Sequence, residues 1–264
     1  MPAPHNPFKA ALKAGETTVG CWLSLGDPLA TEIAGTAGFE WLLIDSEHTP
    51  YDITRIRLQL MALQASDSHA AVRVPTGETW ILKQVLDAGA QTVLVPMVET
   101  AEQAAQLVHD VRYPPNGGRG VGYSGARCSR FGAITDYGPT ADDQICLLIQ
   151  VENRAGIANL DEILAVDGID GVFIGPADLS ADMGYMGQLT HPEVQATIKD
   201  AIERIEAADK APGVLATTPG FTQDCLDWGA RFIATGLDLL ILANALRTLA
   251  GTWVPKGSKG SKGG

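Results

Sequence analysis

Apolar residues in this chain gather in short, β-rich runs, and the stretches between them carry helical spacing. The runs cover residues 18–25, 41–47, 70–74 and 92–98 in the first half, and 145–152, 171–174, 212–217 and 231–235 in the second. Helical patterns occupy 78–87, 100–111, 191–208, 221–228 and 237–250, with a short one at 7–14 before the first run. Further helices start at Asp27-Pro28, where proline fits the first turn, and at Asp52, which precedes Ile53, Ile56, Leu60 and Leu63. Pro75 ends the third run, and Pro96 belongs at a strand end rather than in its middle. Strand, helix and strand in regular succession predict parallel pairing, and eight such units of similar length predict a closed (β/α)8 barrel rather than an open doubly wound sheet. The rhythm breaks once. Residues 112–141 carry Pro114-Pro115, several glycines and four arginines, Arg112, Arg119, Arg127 and Arg130; a loop this long has a function or meets a partner chain.

Length and composition narrow the picture. At 264 residues with 45% apolar content, the chain suits one barrel domain over residues 1–254. The segment 255–264 is a Gly/Ser/Lys tail, expected to be disordered or appended. A net charge of −12 excludes a nucleic-acid or anionic-membrane surface. The four cysteines have no paired spacing and read as buried free thiols in a reducing, cytoplasmic setting. Neither a secretory signal nor a membrane-length apolar run is expected.

In a parallel barrel, chemistry collects at the carboxyl ends of the strands. On the fifth run, side chains alternate, so Gln150 and Glu152 share a face opposite Ile149 and Val151. Asp178 follows the sixth run in Gly-Pro-Ala-Asp, 178 − 152 = 26 residues further on. Two carboxylates at neighbouring strand ends, with no Cys or His cluster, suit one divalent metal such as Mg2+, Mn2+ or Co2+ with open positions for substrate. The alternative for Asp178 is a capping role at a short helix starting at Leu179. The second run ends Asp45-Ser46-Glu47-His48, where His48 is either an acid/base group or a surface histidine. Arg73 lies between Val72 and Val74, either paired to a strand-end carboxylate or placed to stabilise substrate charge. Asp87 ends a helix against the dipole, which asks for a cationic or histidine partner; otherwise it is a solvated surface residue.

The segments LLIDSEH, VRVP, KQVLDAG, LVPMV, RGVGYSGARCSRFG, IQVEN and GVFIGPADLS, in this order, resemble the HpcH/HpaI family of metal-dependent (class II) pyruvate aldolases from about residue 8 to 250. The nearest resemblance is to hydroxy-ketoacid aldolases, including those acting on 4-hydroxy-2-oxo-heptanedioate in aromatic catabolism. It implies reversible cleavage of 4-hydroxy-2-oxo acids to pyruvate and an aldehyde through a pyruvate enolate stabilised by the metal. It implies a barrel whose last helix is exchanged between subunits of a homo-oligomer, commonly a hexamer. Carried over by position, Glu152 and Asp178 hold the metal, and Gln150 and the Ala177 backbone contact pyruvate. His48 is the acid/base, Arg73 stabilises the transition state and also touches substrate, and Asp87 supports His48. Substrate range is expected to be set at Thr217-Thr218 and at Thr235-Gly236-Leu237-Asp238. Rival readings are an acyl-CoA lyase or oxaloacetate decarboxylase using the same enolate chemistry, or a barrel that binds without catalysis.

Overall fold

The computed structural model describes residues 1–254; the 255–264 tail lies outside the described residues. A short helix α1 (Pro7–Lys13) precedes the first strand, β1 (Thr18–Leu23). Then come α2 (Pro28–Gly35), β2 (Trp41–Asp45), α3 (Ile53–Ala62), β3 (His69–Arg73), α4 (Thr79–Asp87), β4 (Thr92–Val95) and α5 (Ala101–Val111). The long loop contains α6 (Tyr137–Ala141) and leads to β5 (Cys146–Val151). Two short helices, α7 (Arg154–Ala158) and α8 (Leu160–Leu164), connect β5 to β6 (Gly171–Ile174). The chain closes with α9 (Pro176–Asp182), α10 (Pro192–Ala207), β7 (Ala211–Leu215), α11 (Pro219–Asp227), β8 (Phe232–Leu237) and α12 (Asp238–Trp253).

The eight strands are parallel and pair in sequence order, with β8 returning to β1, so the barrel is closed. Helix starts follow their local chemistry: Asp27 and Asp52 accept from first-turn amides, and Thr100 with Gln103 forms a reciprocal cap on α5. β4 stops at Val95 because Pro96 has no N–H to give the ladder. Alternate strand residues face inward and outward. The inward set includes Trp22, Trp41, Leu43, Leu94, Leu148, Phe173 and Phe232; Leu42, Ile44, Val72, Val93, Ile149 and Val172 pack outward beneath the helices. The interior is filled by rings, with Trp22 and Phe173 centroids 5.3 Å apart and Phe173 and Phe232 at 6.0 Å. Gly213 makes room for one of them: a β-carbon there would sit 2.1 Å from the Phe232 ring.

Helix α1 plugs the amino end of the barrel with Phe8 and Leu12. Beside it the buried Asn6 amide reaches Thr92 Oγ1 at 3.1 Å and the Gln144 carbonyl at 2.9 Å. The loop after α5 has its own small core of Tyr113, Cys128, Ile134 and Tyr137. Arg119 is fully buried there, stacked 4.4 Å from the Tyr113 ring. All four cysteines are buried free thiols. Helix α12 buries none of its residues, and Leu240, Ile241, Leu246, Leu249 and Trp253 are exposed. Among the described residues no helix is long and apolar enough to cross a membrane.

Candidate active site

The strand-end residues of β2, β3 and β5 and the first turn of α9 meet at the carboxyl mouth of the barrel. Gln150 and Glu152 turn inward from β5 and are almost completely buried, while Leu147, Ile149 and Val151 go outward. The Gln150 amide donates to Glu152 Oε2, and the Met97 backbone N–H donates to Glu152 Oε1 at 2.9 Å. Met97 reaches that position with a left-handed backbone, φ 57°, which is uncommon for a residue with a side chain. Gly175 closes on the same carboxylate: a β-carbon there would fall 2.6 Å from Glu152 Oε2. Only glycine lets β6 turn into α9 across the face of Glu152.

Arg73 projects from the end of β3 as expected, and its partners are on β2. Its Nε and Nη2 each donate at 2.9 Å to the two oxygens of the buried Asp45, a forked pair. Its Nη1 lies 2.8 Å from Glu47 Oε2, although the contact is too poorly aligned to count as a hydrogen bond and leaves that oxygen without one. The guanidinium sits 5.0 Å from the Trp22 ring centroid, so the arginine rests on the aromatic filling of the barrel.

Charges of one sign crowd this mouth. Burial, followed by the nearby Glu47 and Asp178 carboxylates, outweighs the two hydrogen bonds and pushes Glu152 up to about 7. Burial likewise raises Glu47 against the pull of Arg73 and His48, with Asp45 and Asp178 adding to the rise. Burial disfavours the charge on Arg73, but Asp45, Glu47 and Glu152 together hold it above its ordinary value. Gln150 Oε1 is buried without a partner. An all-oxygen donor set, carboxylates pressed together against desolvation and unpartnered buried acceptors fit a divalent cation with a bound oxyacid. No group of three or more His, Cys, Asp or Glu placed to hold a metal occurs among the described residues. Glu47, Glu152 and Asp178 are carboxylates close enough to repel one another at this mouth.

Ala177 and Asp178 are exposed in the first turn of α9, which begins at Pro176 with Gly175 at its cap. Asp178 does not cap a helix beginning at Leu179; that alternative is removed. His48 is 66% exposed, with Nε2 4.0 Å from Glu47 Oε1. Asp87 is the residue that the structure does not bring to the mouth. It ends α4, which runs from the carboxyl end of β3 back to the start of β4, so it lies at the amino end of the barrel. There it accepts from Arg119 Nη2 at 2.8 Å, and within this chain it does not meet His48. The pairing of Arg73 to a strand-end carboxylate was one of its two expected roles, and the structure names the partners as Asp45 and Glu47. Their two-residue spacing at the end of β2, identical to that of Gln150 and Glu152, was the available signal.

A model of the HpcH/HpaI aldolase/citrate lyase family matches residues 18–245. A hydroxypyruvate/pyruvate aldolase of Roseobacter denitrificans is 60% identical over 253 residues, 96% of this chain and 99% of that protein. A 2-keto-3-deoxy-L-rhamnonate aldolase of Escherichia coli is 52% identical over 241 residues, 91% of this chain and 90% of that protein. The crystal structure of a HpcH/HpaI aldolase/citrate lyase family protein from Burkholderia cenocepacia superposes with a TM-score of 0.90 at 36% identity, covering 94% of this chain and 98% of that one.

Proposed function

The chain belongs to the HpcH/HpaI aldolase/citrate lyase family, and from that premise we propose that it is an aldolase that cleaves 4-hydroxy-2-oxo acids reversibly to pyruvate and an aldehyde. The relatives named as hydroxypyruvate/pyruvate and 2-keto-3-deoxy-L-rhamnonate aldolases favour short, hydroxylated substrates over a dicarboxylic heptanedioate. The observation that carries the reading is the buried Glu152, fixed by the Gln150 amide and the Met97 N–H at the same barrel mouth where Arg73 is forked to Asp45.

Glu152 and Asp178 would hold a divalent cation, with Mg2+, Mn2+ and Co2+ suited to the oxygen donors. Bound there, the cation supplies Lewis acidity to the 2-oxo group. The residues of the chain do the rest. Gln150, with a free buried acceptor, and the Ala177 backbone bind and orient the pyruvate half. Arg73, locked by Asp45, contributes a fixed positive charge where the enolate oxygen gathers electrons as the bond between C3 and C4 breaks. His48 takes the proton from the C4 hydroxyl and returns it in the aldol direction.

The carried-over role of Asp87 needs a second copy of the chain. One chain holds Asp87 and His48 at opposite ends of its barrel, so an Asp87 that supports His48 comes from a neighbour. The bare apolar surface of α12 supports assembly as well, through exchange of the last helix in a homo-oligomer, with a hexamer as the expected form. The buried free thiols fit a cytoplasmic enzyme. The test is an aldol assay with pyruvate or hydroxypyruvate and a panel of aldehydes, with and without chelator. Metal-dependent product supports the reading; full activity in chelator, or a borohydride-trapped lysine adduct, removes it.

A further inference from the structure

Strand β4 slips out of register where it meets the mouth. In the parallel ladder of β4 and β5, Thr92 stands opposite Cys146 and Val95 opposite Ile149, and the Cys146 N–H donates to the Gln91 carbonyl at 2.7 Å. Bonds of a parallel pair are evenly spaced, so an unbroken ladder would hand the Gln150 carbonyl to the Met97 N–H. Val98 takes that carbonyl instead, at 3.0 Å. One residue on the β4 side is therefore extra, which makes a β-bulge. The Met97 N–H, released from the ladder, donates to Glu152 Oε1 at 2.9 Å.

The bulge has a conformational cost. Its pivot is a left-handed backbone, a place that glycine fills most easily, and Met97 holds it at φ 57°. Packing of the methionine side chain does not explain this, since the residue is 51% exposed. The flanks keep the turn in place. Val95, Pro96 and Val98 are buried. Just beyond them, the Asn153 amide donates to Glu99 Oε1 at 2.6 Å and the Asn159 amide to the Glu99 carbonyl at 2.8 Å. Backbone strain that the surroundings enforce in this way gathers at functional sites. Here it presents one N–H to one oxygen of Glu152, while the Gln150 amide takes the other.

We infer, on the reading that Glu152 and Asp178 hold the metal, that Met97 is a positioning residue. Its bulge aims a backbone amide that fixes the Glu152 carboxylate for the cation, and the role lies in the left-handed backbone rather than in the thioether. Calorimetric titration of Mg2+ and of Mn2+ into the metal-free full chain, and into Met97→Gly, Met97→Asn and Met97→Val, tests it. Glycine and asparagine accept the left-handed region, and β-branched valine does not. Affinity should stay within about threefold of the parent in Met97→Gly and Met97→Asn and fall about tenfold or more in Met97→Val. Equal losses in all three variants overturn the assignment by putting the role in the side chain, and undiminished affinity in Met97→Val overturns it by making the backbone indifferent. A parent chain that binds neither ion removes the metal reading itself, a failure distinct from the other two. A second measurement needs neither metal nor a folded valine variant. In the metal-free chain with 15N-labelled methionine, the Met97 amide should exchange with solvent about tenfold faster or more in Glu152→Ala than in the parent; equal rates would show that Glu152 does not hold that amide, and the assignment falls.

Discussion

The two ends of the barrel hold their acids on different terms. At the amino end Asp170 and Asp87 each have a cation of their own, Lys9 and Arg119, although Trp41 Nε1, the Tyr113 hydroxyl and Arg119 Nε and Nη1 are buried without partners. Asp170 accepts from the Leu147 amide at 2.9 Å and faces Lys9 at 3.4 Å, Lys9 also donates to the Ile145 carbonyl, and the Asn6 side-chain NH2 donates to three neighbours. At the carboxyl end, acids outnumber the single arginine, Glu152 is forced up to about 7, and Gln150 Oε1 and Glu47 Oε2 lack hydrogen-bond partners. An acid with its own cation is settled within the fold, whereas acids crowded around one shared arginine carry a cost that a bound cation relieves. The contrast assigns stability to one end and chemistry to the other.

The sharpest way to break the contrast is Glu152→Gln. Turnover should fall by about 10³-fold, while the metal-free protein keeps or gains thermal stability because a repelled charge is gone. A lower melting temperature would show that Glu152 is structural. Next, Arg73→Lys should lower kcat by about 10²-fold with little change in KM, since lysine cannot reproduce the fork to Asp45. A change confined to KM would make Arg73 a ground-state binding group.

Protons and metal should also compete at the mouth. Below the Glu152 value of about 7, affinity for Mg2+ or Mn2+ should drop by up to about tenfold per pH unit, read by calorimetry. The stability term has a defined sign. A carboxyl raised in the folded state stabilises fully below its unfolded value and loses that contribution as pH rises through its folded value. Metal should therefore raise the melting temperature more at pH 8 than at pH 5.5. Equal shifts at both pH values would separate Glu152 from the metal. At the amino end, Asn6→Ala should cost about 1–3 kcal/mol in denaturant unfolding and leave kcat unchanged. A loss of turnover there would erase the division between the ends.

Much of this was legible in the chain. The alternation at Gln150 and Glu152 marked the inward face of β5, and strand–helix repetition marked the closed barrel. Boundaries shifted by a few residues where local hydrogen bonding decides, as at Pro96 and at the break between α7 and α8. The Arg73 fork was half legible. Its choice between Asp45 and other acids depends on the register of β2 against β3, which sets Asp45 beside Arg73. Asp87 shows the reverse case. Chain order alone places the end of a helix after β3 at the far end of the barrel, so the distance from His48 was readable without coordinates. The crowding that raises Glu152 was not readable, because it comes from burial and from Glu47 and Asp178 on two other segments.

Gly175 carries a consequence for how such an enzyme can change over generations. With a β-carbon excluded by the carboxylate it covers, that position accepts one amino acid of the twenty, glycine. Libraries aimed at new substrates gain nothing by randomising it. Diversity has to enter through the exposed rim around it, where Leu25 and Ala177 already face solvent.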